Sequence, residues 1–101
     1  MRIPWRFGAG LALATLTWSA LAADPLQVRS LAAACFNCHG TQGAAQDGMP
    51  SLAGQERTHL LQMLLDYKSG KLPATVMQQL AKGYTDEQLE QLAGYFAAQK
   101  R

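Results

Sequence analysis

Apolar positions recur at helical spacing in several stretches of the chain and at strand spacing in none of useful length. Val28, Leu31, Cys35 and Cys38 follow one another at intervals of three or four, the stripe of an amphipathic helix. Asp24 and Pro25 supply its start: a carboxylate to cap free N–H groups, then a residue with no N–H to lose. Gly40 and Gly43 are placed to end it. Leu60, Leu61, Leu64 and Leu65 mark one face of a second helix over Glu56 to Ser69, with Gly70 as its stop. After a connection through Lys71 to Pro73, a short third helix is expected over Ala74 to Lys82, closed by Gly83. Thr85 and Gln88 have the spacing of a capping box, and Leu89, Leu92, Ala93 and Phe96 fill the i, i+3, i+4, i+7 template behind them. Lys100 and Arg101 would suit the carboxyl end of that last helix.

Residues 40–55, GTQGAAQDGMPSLAGQ, carry neither period and are expected to form a folded loop. A loop this long in a small domain is usually functional. With no period-two segment, internal repeat or low-complexity tract, the fold class expected is all-α, with about four helices.

The amino-terminal stretch has a different pattern. Arg2 and Arg6 precede an apolar run from Leu11 to Trp18, and Ala20-Leu21-Ala22 offers small residues for cleavage. That is the layout of a secretory signal peptide over residues 1–22, and it implies a periplasmic domain over 23–101. Gly8, Gly10, Thr15 and Thr17 break the run, which falls short of the ~20 apolar residues of a membrane span. No stable membrane insertion is expected after cleavage.

Removing residues 1–22 leaves 79 of the 101 residues and takes away two of the nine basic ones, level with the seven acidic. A near-neutral domain has no electrostatic footprint for nucleic acid or anionic lipid. A domain of this size also buries little apolar surface and usually needs a staple. Two cysteines three apart would close only a tiny disulfide loop and contribute little.

The sequence CFNCHG at 35–40 therefore carries the chemistry. Cys-x-x-Cys serves as a redox dithiol, as half of a zinc site or as a covalent haem attachment. A thioredoxin-like dithiol needs a sheet with crossover helices, which this pattern lacks. Zinc needs four ligands; Cys35, Cys38, His39 and His59 are the obvious candidates, and adjacent Cys38 and His39 suit a tetrahedron poorly. Haem attachment accounts for the spacing: Cys35 and Cys38 share a helix face from which both sulfurs form thioethers, and His39 is positioned to reach the iron. The macrocycle would also supply the core that so short a chain lacks.

CFNCHG resembles the attachment site of class I c-type cytochromes, and the likeness extends over the rest of the domain. The stretch DYKSGKLPATVMQQLAKGYTDEQLEQLAGYFAAQK is similar to the haem domain of the cytochrome subunit of flavocytochrome c sulfide dehydrogenases, through KSG, AT-x-M, AKGY and AGYF. The resemblance implies a small helical bundle around one haem c, with electron transfer as the activity. It also implies a redox protein partner, a flavoprotein sulfide dehydrogenase subunit being one possibility. Those subunits often carry two haem domains where this chain has one.

Four side chains compete for the sixth iron position: Met49, Met63, Met77 and His59. Met63 sits among the leucines of the second helix, where methionine commonly fills core. Met49 lies only ten positions after His39, whereas Met77 lies 38 after it, with chain enough to reach the far side. The family pattern also puts its methionine at the AT-x-M position, Met77. His/Met ligation raises the reduction potential relative to a bis-histidine site. The resemblance further implies that Pro50, in MPSLAG, presents its carbonyl to His39 Nδ1; a plain turn proline is the alternative. The family's frequent tryptophan near a propionate has no counterpart in residues 23–101, leaving Tyr67, Tyr84 or a backbone N–H as replacements. Three rival functions stay open: a freely diffusing shuttle for another dehydrogenase or oxidase, a thiol–disulfide oxidoreductase, and an open haem site.

Overall fold

The computed structural model describes residues 24–46 and 48–101, with a few single positions before residue 24. Those single positions apart, the expected export signal lies outside the described residues. The described chain forms four helices and one short 3-10 turn: α1 (Pro25–His39), the turn Thr41–Gly43, α2 (Arg57–Ser69), α3 (Met77–Lys82) and α4 (Asp86–Ala97). The all-α expectation holds, with no strand among the described residues.

Local chemistry accounts for most boundaries. At the start of α1, Leu26 N–H donates to Asp24 Oδ1 at 3.0 Å and Pro25 occupies the first helical position. Its end is Gly40, whose φ of 82° carries the chain out of helical conformation while its N–H donates to Phe36 O. Gly70 ends α2 in the left-handed conformation, φ 81°. The α4 capping box is complete: Gln88 N–H donates to Thr85 Oγ1 at 3.1 Å, and Thr85 N–H to Gln88 Oε1 at 2.9 Å.

Two expectations need correction. α3 begins at Met77, not Ala74, because its first bond runs from Leu80 N–H to Val76 O. Thr75 and Val76 are β-branched and poor helix formers, and no side chain caps the start of α3. Lys100 and Arg101 lie beyond α4, which stops at Ala97. A carbonyl of its last turn, Phe96 O, is taken instead by Gly54 N–H at 2.9 Å and Gln99 N–H at 3.1 Å.

α2 packs on α3 and α4, and α1 packs on α4. Ala32 of α1 and Ala93 of α4 are fully buried in a cluster with Leu60, Leu89, Leu92 and Phe96. Phe36 and Tyr95 each set a ring against Phe96, the latter edge-on at 5.2 Å. On the other flank Tyr84 OH donates to Leu31 O at 3.2 Å, fastening α1 to the chain between α3 and α4. Lys68 Nζ reaches from α2 to both Tyr84 O and Asp86 Oδ1, each at 2.8 Å. Leu89 and Leu92 are the largest fully buried side chains among the described residues. Beside this cluster the helices leave a hollow. No helix among the described residues is long and apolar enough to cross a membrane.

Candidate functional site

The hollow is an apolar cavity of about 310 Å³, at the lower end of the range typical of cofactor sites. All four helices wall it. α1 presents Cys35, Cys38 and His39 from its last turn; the loop adds Met49, Pro50 and Leu52. α2 contributes Leu60, Met63, Leu64 and Tyr67. Val76, Met77, Leu80 and Ala81 close it from around α3, and Leu89, Leu92 and Phe96 from α4.

His39 is the buried polar side chain of the described chain, 7% exposed. Its Nδ1 lies 2.7 Å from Pro50 O across eleven residues of chain. A carbonyl oxygen only accepts, so Nδ1 carries the proton and donates. In the neutral ring that leaves Nε2 with its lone pair unengaged, the tautomer of a metal-ligating imidazole. The sequence signal CxxCH located His39, while its partner at Pro50 came only from the family likeness.

Two glycines bring the loop back to the histidine. Gly43 has φ 80°, and a Cβ there would stand 2.6 Å from the Phe96 ring. Its carbonyl accepts from Leu52 N–H at 2.8 Å, Ala53 N–H at 3.1 Å and Ser51 Oγ at 2.8 Å. At Gly40, φ 82°, a Cβ would collide with Ala44 O. Spacing in the sequence marks both only as helix stops; the carbonyl cluster on Gly43 has no local sequence signal.

Cys35 is half-buried and Cys38 exposed, and neither is in a disulfide. Burial pushes the Cys35 thiol up, opposite to the lowered value an attacking redox thiolate uses. Tyr84, also on the cavity wall, is pushed up by burial and secondarily by the charge of Cys35. No cluster of three or more His, Cys, Asp or Glu suited to a metal ion occurs among the described residues, which leaves the zinc reading without a ligand set.

Of the four candidates for a sixth ligand, Met49, Met63 and Met77 all line the cavity. His59 does not: it is exposed on α2 and borders a separate open groove with Glu56 and Arg101. The donor set fits a covalently held haem. Two free thiols stand beside an imidazole with one nitrogen held and one unengaged, around an apolar cavity that also holds thioether sulfurs.

No protein-family model matches the chain. Among curated proteins, the cytochrome subunit of sulfide dehydrogenase from Chlorobaculum tepidum is 39% identical over 66 residues, covering 65% of this chain and 60% of that one. Cytochrome c-554(548) from Halomonas halodenitrificans is 33% identical over 70 residues, covering 65% of this chain and 84% of that one. Among solved structures, Acidithiobacillus ferrooxidans cytochrome c4 superposes with a TM-score of 0.69 at 28% identity, over 75% of this chain and 49% of that one. The match spans 60% or less of the length of the first of these relatives and about half of the solved structure.

Proposed function

Because the chain belongs to the class I c-type cytochromes, we propose that residues 23–101 form a monohaem electron-transfer domain, with Cys35 and Cys38 as the covalent anchors and His39 and Met77 as the axial ligands. The observation that carries this reading is the His39–Pro50 hydrogen bond at the wall of an apolar cavity. A haem c held there supplies a one-electron Fe(III)/Fe(II) couple. The chain's own residues do the rest. Pro50 O fixes the His39 ring and increases its basicity. The leucines of α2 and α4 exclude water, and the Met77 thioether favours the reduced form. With His39 and Met77 both holding the iron, the site would carry electrons and would not turn over a substrate.

Residues 1–22 act as an export signal that delivers the domain to the periplasm. The partner is another redox protein, and the likeness to a sulfide dehydrogenase cytochrome subunit supports a flavoprotein that oxidises sulfide. A freely diffusing shuttle is the second reading, supported by the likeness to cytochrome c-554(548), most of whose length the chain matches.

Optical spectra of protein made with a c-type maturation system test the proposal. The expected result is a low-spin c-type spectrum whose far-red sulfur-to-iron band disappears in Met77→Ala and survives in Met49→Ala and Met63→Ala. Absence of covalent haem would sink the cytochrome reading. Loss of the band in another methionine variant would reassign the ligand. Carbon monoxide binding to the reduced wild type would reveal an open iron site. Haem reduction by sulfide with a flavoprotein separates the two partner readings, since a general shuttle shows none.

A further inference from the structure

Pro50 presents a carbonyl to His39 but has little with which to hold that carbonyl still. It lacks an N–H and is exposed, and just ahead of it Met49 N–H donates to Gln46 O over a long 3.4 Å. The next residue is different. Ser51 Oγ donates to Gly43 O at 2.8 Å and accepts from Ala45 N–H at 3.3 Å. The same carbonyl takes Leu52 and Ala53 N–H, so residues 51–53 converge on one oxygen, four residues along the chain from His39.

We infer that Ser51 is a positioning residue for His39: its hydroxyl, bridging Gly43 O and Ala45 N–H, sets the plane of the Pro50–Ser51 peptide so that Pro50 O meets Nδ1. This deepens the proposed function and rests on His39 being the proximal ligand. The backbone bonds of Leu52 and Ala53 dock the loop but lie further from that peptide plane. The hydroxyl is the side-chain anchor adjacent to it. Gly43 O keeps two donors without Ser51, and Ala45 is only half-buried. Losing the hydroxyl therefore loosens the peptide plane without stranding a buried group.

A weaker Nδ1–H···O=C bond makes the imidazole a poorer electron donor, and the oxidised iron loses stabilisation. Haem-bearing wild type, Ser51→Ala and Ser51→Thr are compared by ring-proton exchange and by reduction potential. In Ser51→Ala the His39 Nδ1 proton should exchange faster than in wild type, because its acceptor is no longer held in place, and the potential should rise. Ser51→Thr, which keeps a hydroxyl, should restore both. The amide of Leu92, deep in the core, should exchange unchanged. Wild-type values in Ser51→Ala, or no restoration in Ser51→Thr, would overturn the inference. So would an equal acceleration at Leu92, which would mean that the hydroxyl supports the whole fold and not the ring. If wild type carries no covalent haem, the cytochrome reading fails separately. A wild type that folds without haem then decides the positioning role through its His39 ring-nitrogen signals, with and without the Ser51 hydroxyl.

Discussion

Gly43 answers to two neighbours at once. Its missing side chain leaves room for the Phe96 ring, and its positive φ turns its carbonyl to three donors from residues 51–53. Gly43→Ala would impose a left-handed backbone on an L-residue, about 1–2 kcal/mol, and press a methyl into a packed ring, about 1–3 kcal/mol. The expected loss is about 2–5 kcal/mol, read as a lower urea midpoint for the haem-bearing protein at unchanged slope. A change below about 0.5 kcal/mol would mean that the loop simply shifts aside. At this scale the sequence was legible only where chemistry is contiguous. Cys35, Cys38 and His39 announce themselves by spacing. The contact between His39 and Pro50 spans a loop without period, and Ser51 carries no mark beyond its place in MPSLAG. Nor does spacing single out a methionine, since three of them reach the cavity from three different segments.

Helices were legible where a cap and a stripe agreed. Asp24-Pro25, Gly70 and the Thr85–Gln88 pair each lie at the boundary that their chemistry demands. The start of α3 was misjudged because its first turn has no cap and follows two β-branched residues, so propensity had nothing to mark it. Ala32, the most buried residue of α1, lies outside the stripe of Val28, Leu31, Cys35 and Cys38, because hydrophobicity gives its small side chain little weight. Where α1 meets α4, smallness counts for more: Ala32 and Ala93 are both fully buried. Thr85→Ala removes one half of the reciprocal cap and should cost about 1 kcal/mol. The thermal midpoint reports it, and Thr85→Ser should recover most of the loss. If Thr85→Ala melts like wild type, Lys68, which grips Tyr84 O and Asp86 nearby, is holding the start of α4 instead.

For the molecule as a whole, two predictions concern what holds it together. Burial, and secondarily Cys35, pushes the Tyr84 phenol above its ordinary value of 10.0. The unfolded chain therefore gives up this proton first as pH rises. Its contribution is fully present below pH 10 and is lost as pH climbs through the folded value. With Cys35 converted to a thioether only the burial effect remains. Unfolding free energies measured from about pH 9 to 11 should fall more steeply for wild type than for Tyr84→Phe; equal slopes would remove Tyr84 from the account. The second prediction concerns the cavity. Nine hydrophobic side chains are buried among the described residues, five of them leucine or phenylalanine or valine and the rest alanine, which is little for an independent fold. Protein made without a maturation system should lose fixed tertiary packing, seen as collapsed amide dispersion in NMR spectra; native-like dispersion would show that the helices close on themselves.

The order of the cavity walls along the chain has a consequence for biogenesis. Cys35 and Cys38, the proposed attachment points, stand at the end of the first helix, whereas the walls that enclose them come from the loop, α2, α3 and α4, all later in the chain. A polypeptide that emerges amino-terminus first exposes its thiols to the loading machinery before any enclosure exists. On the proposed attachment, loading would precede closure in time, and the tethered macrocycle would serve as the template on which the later helices condense.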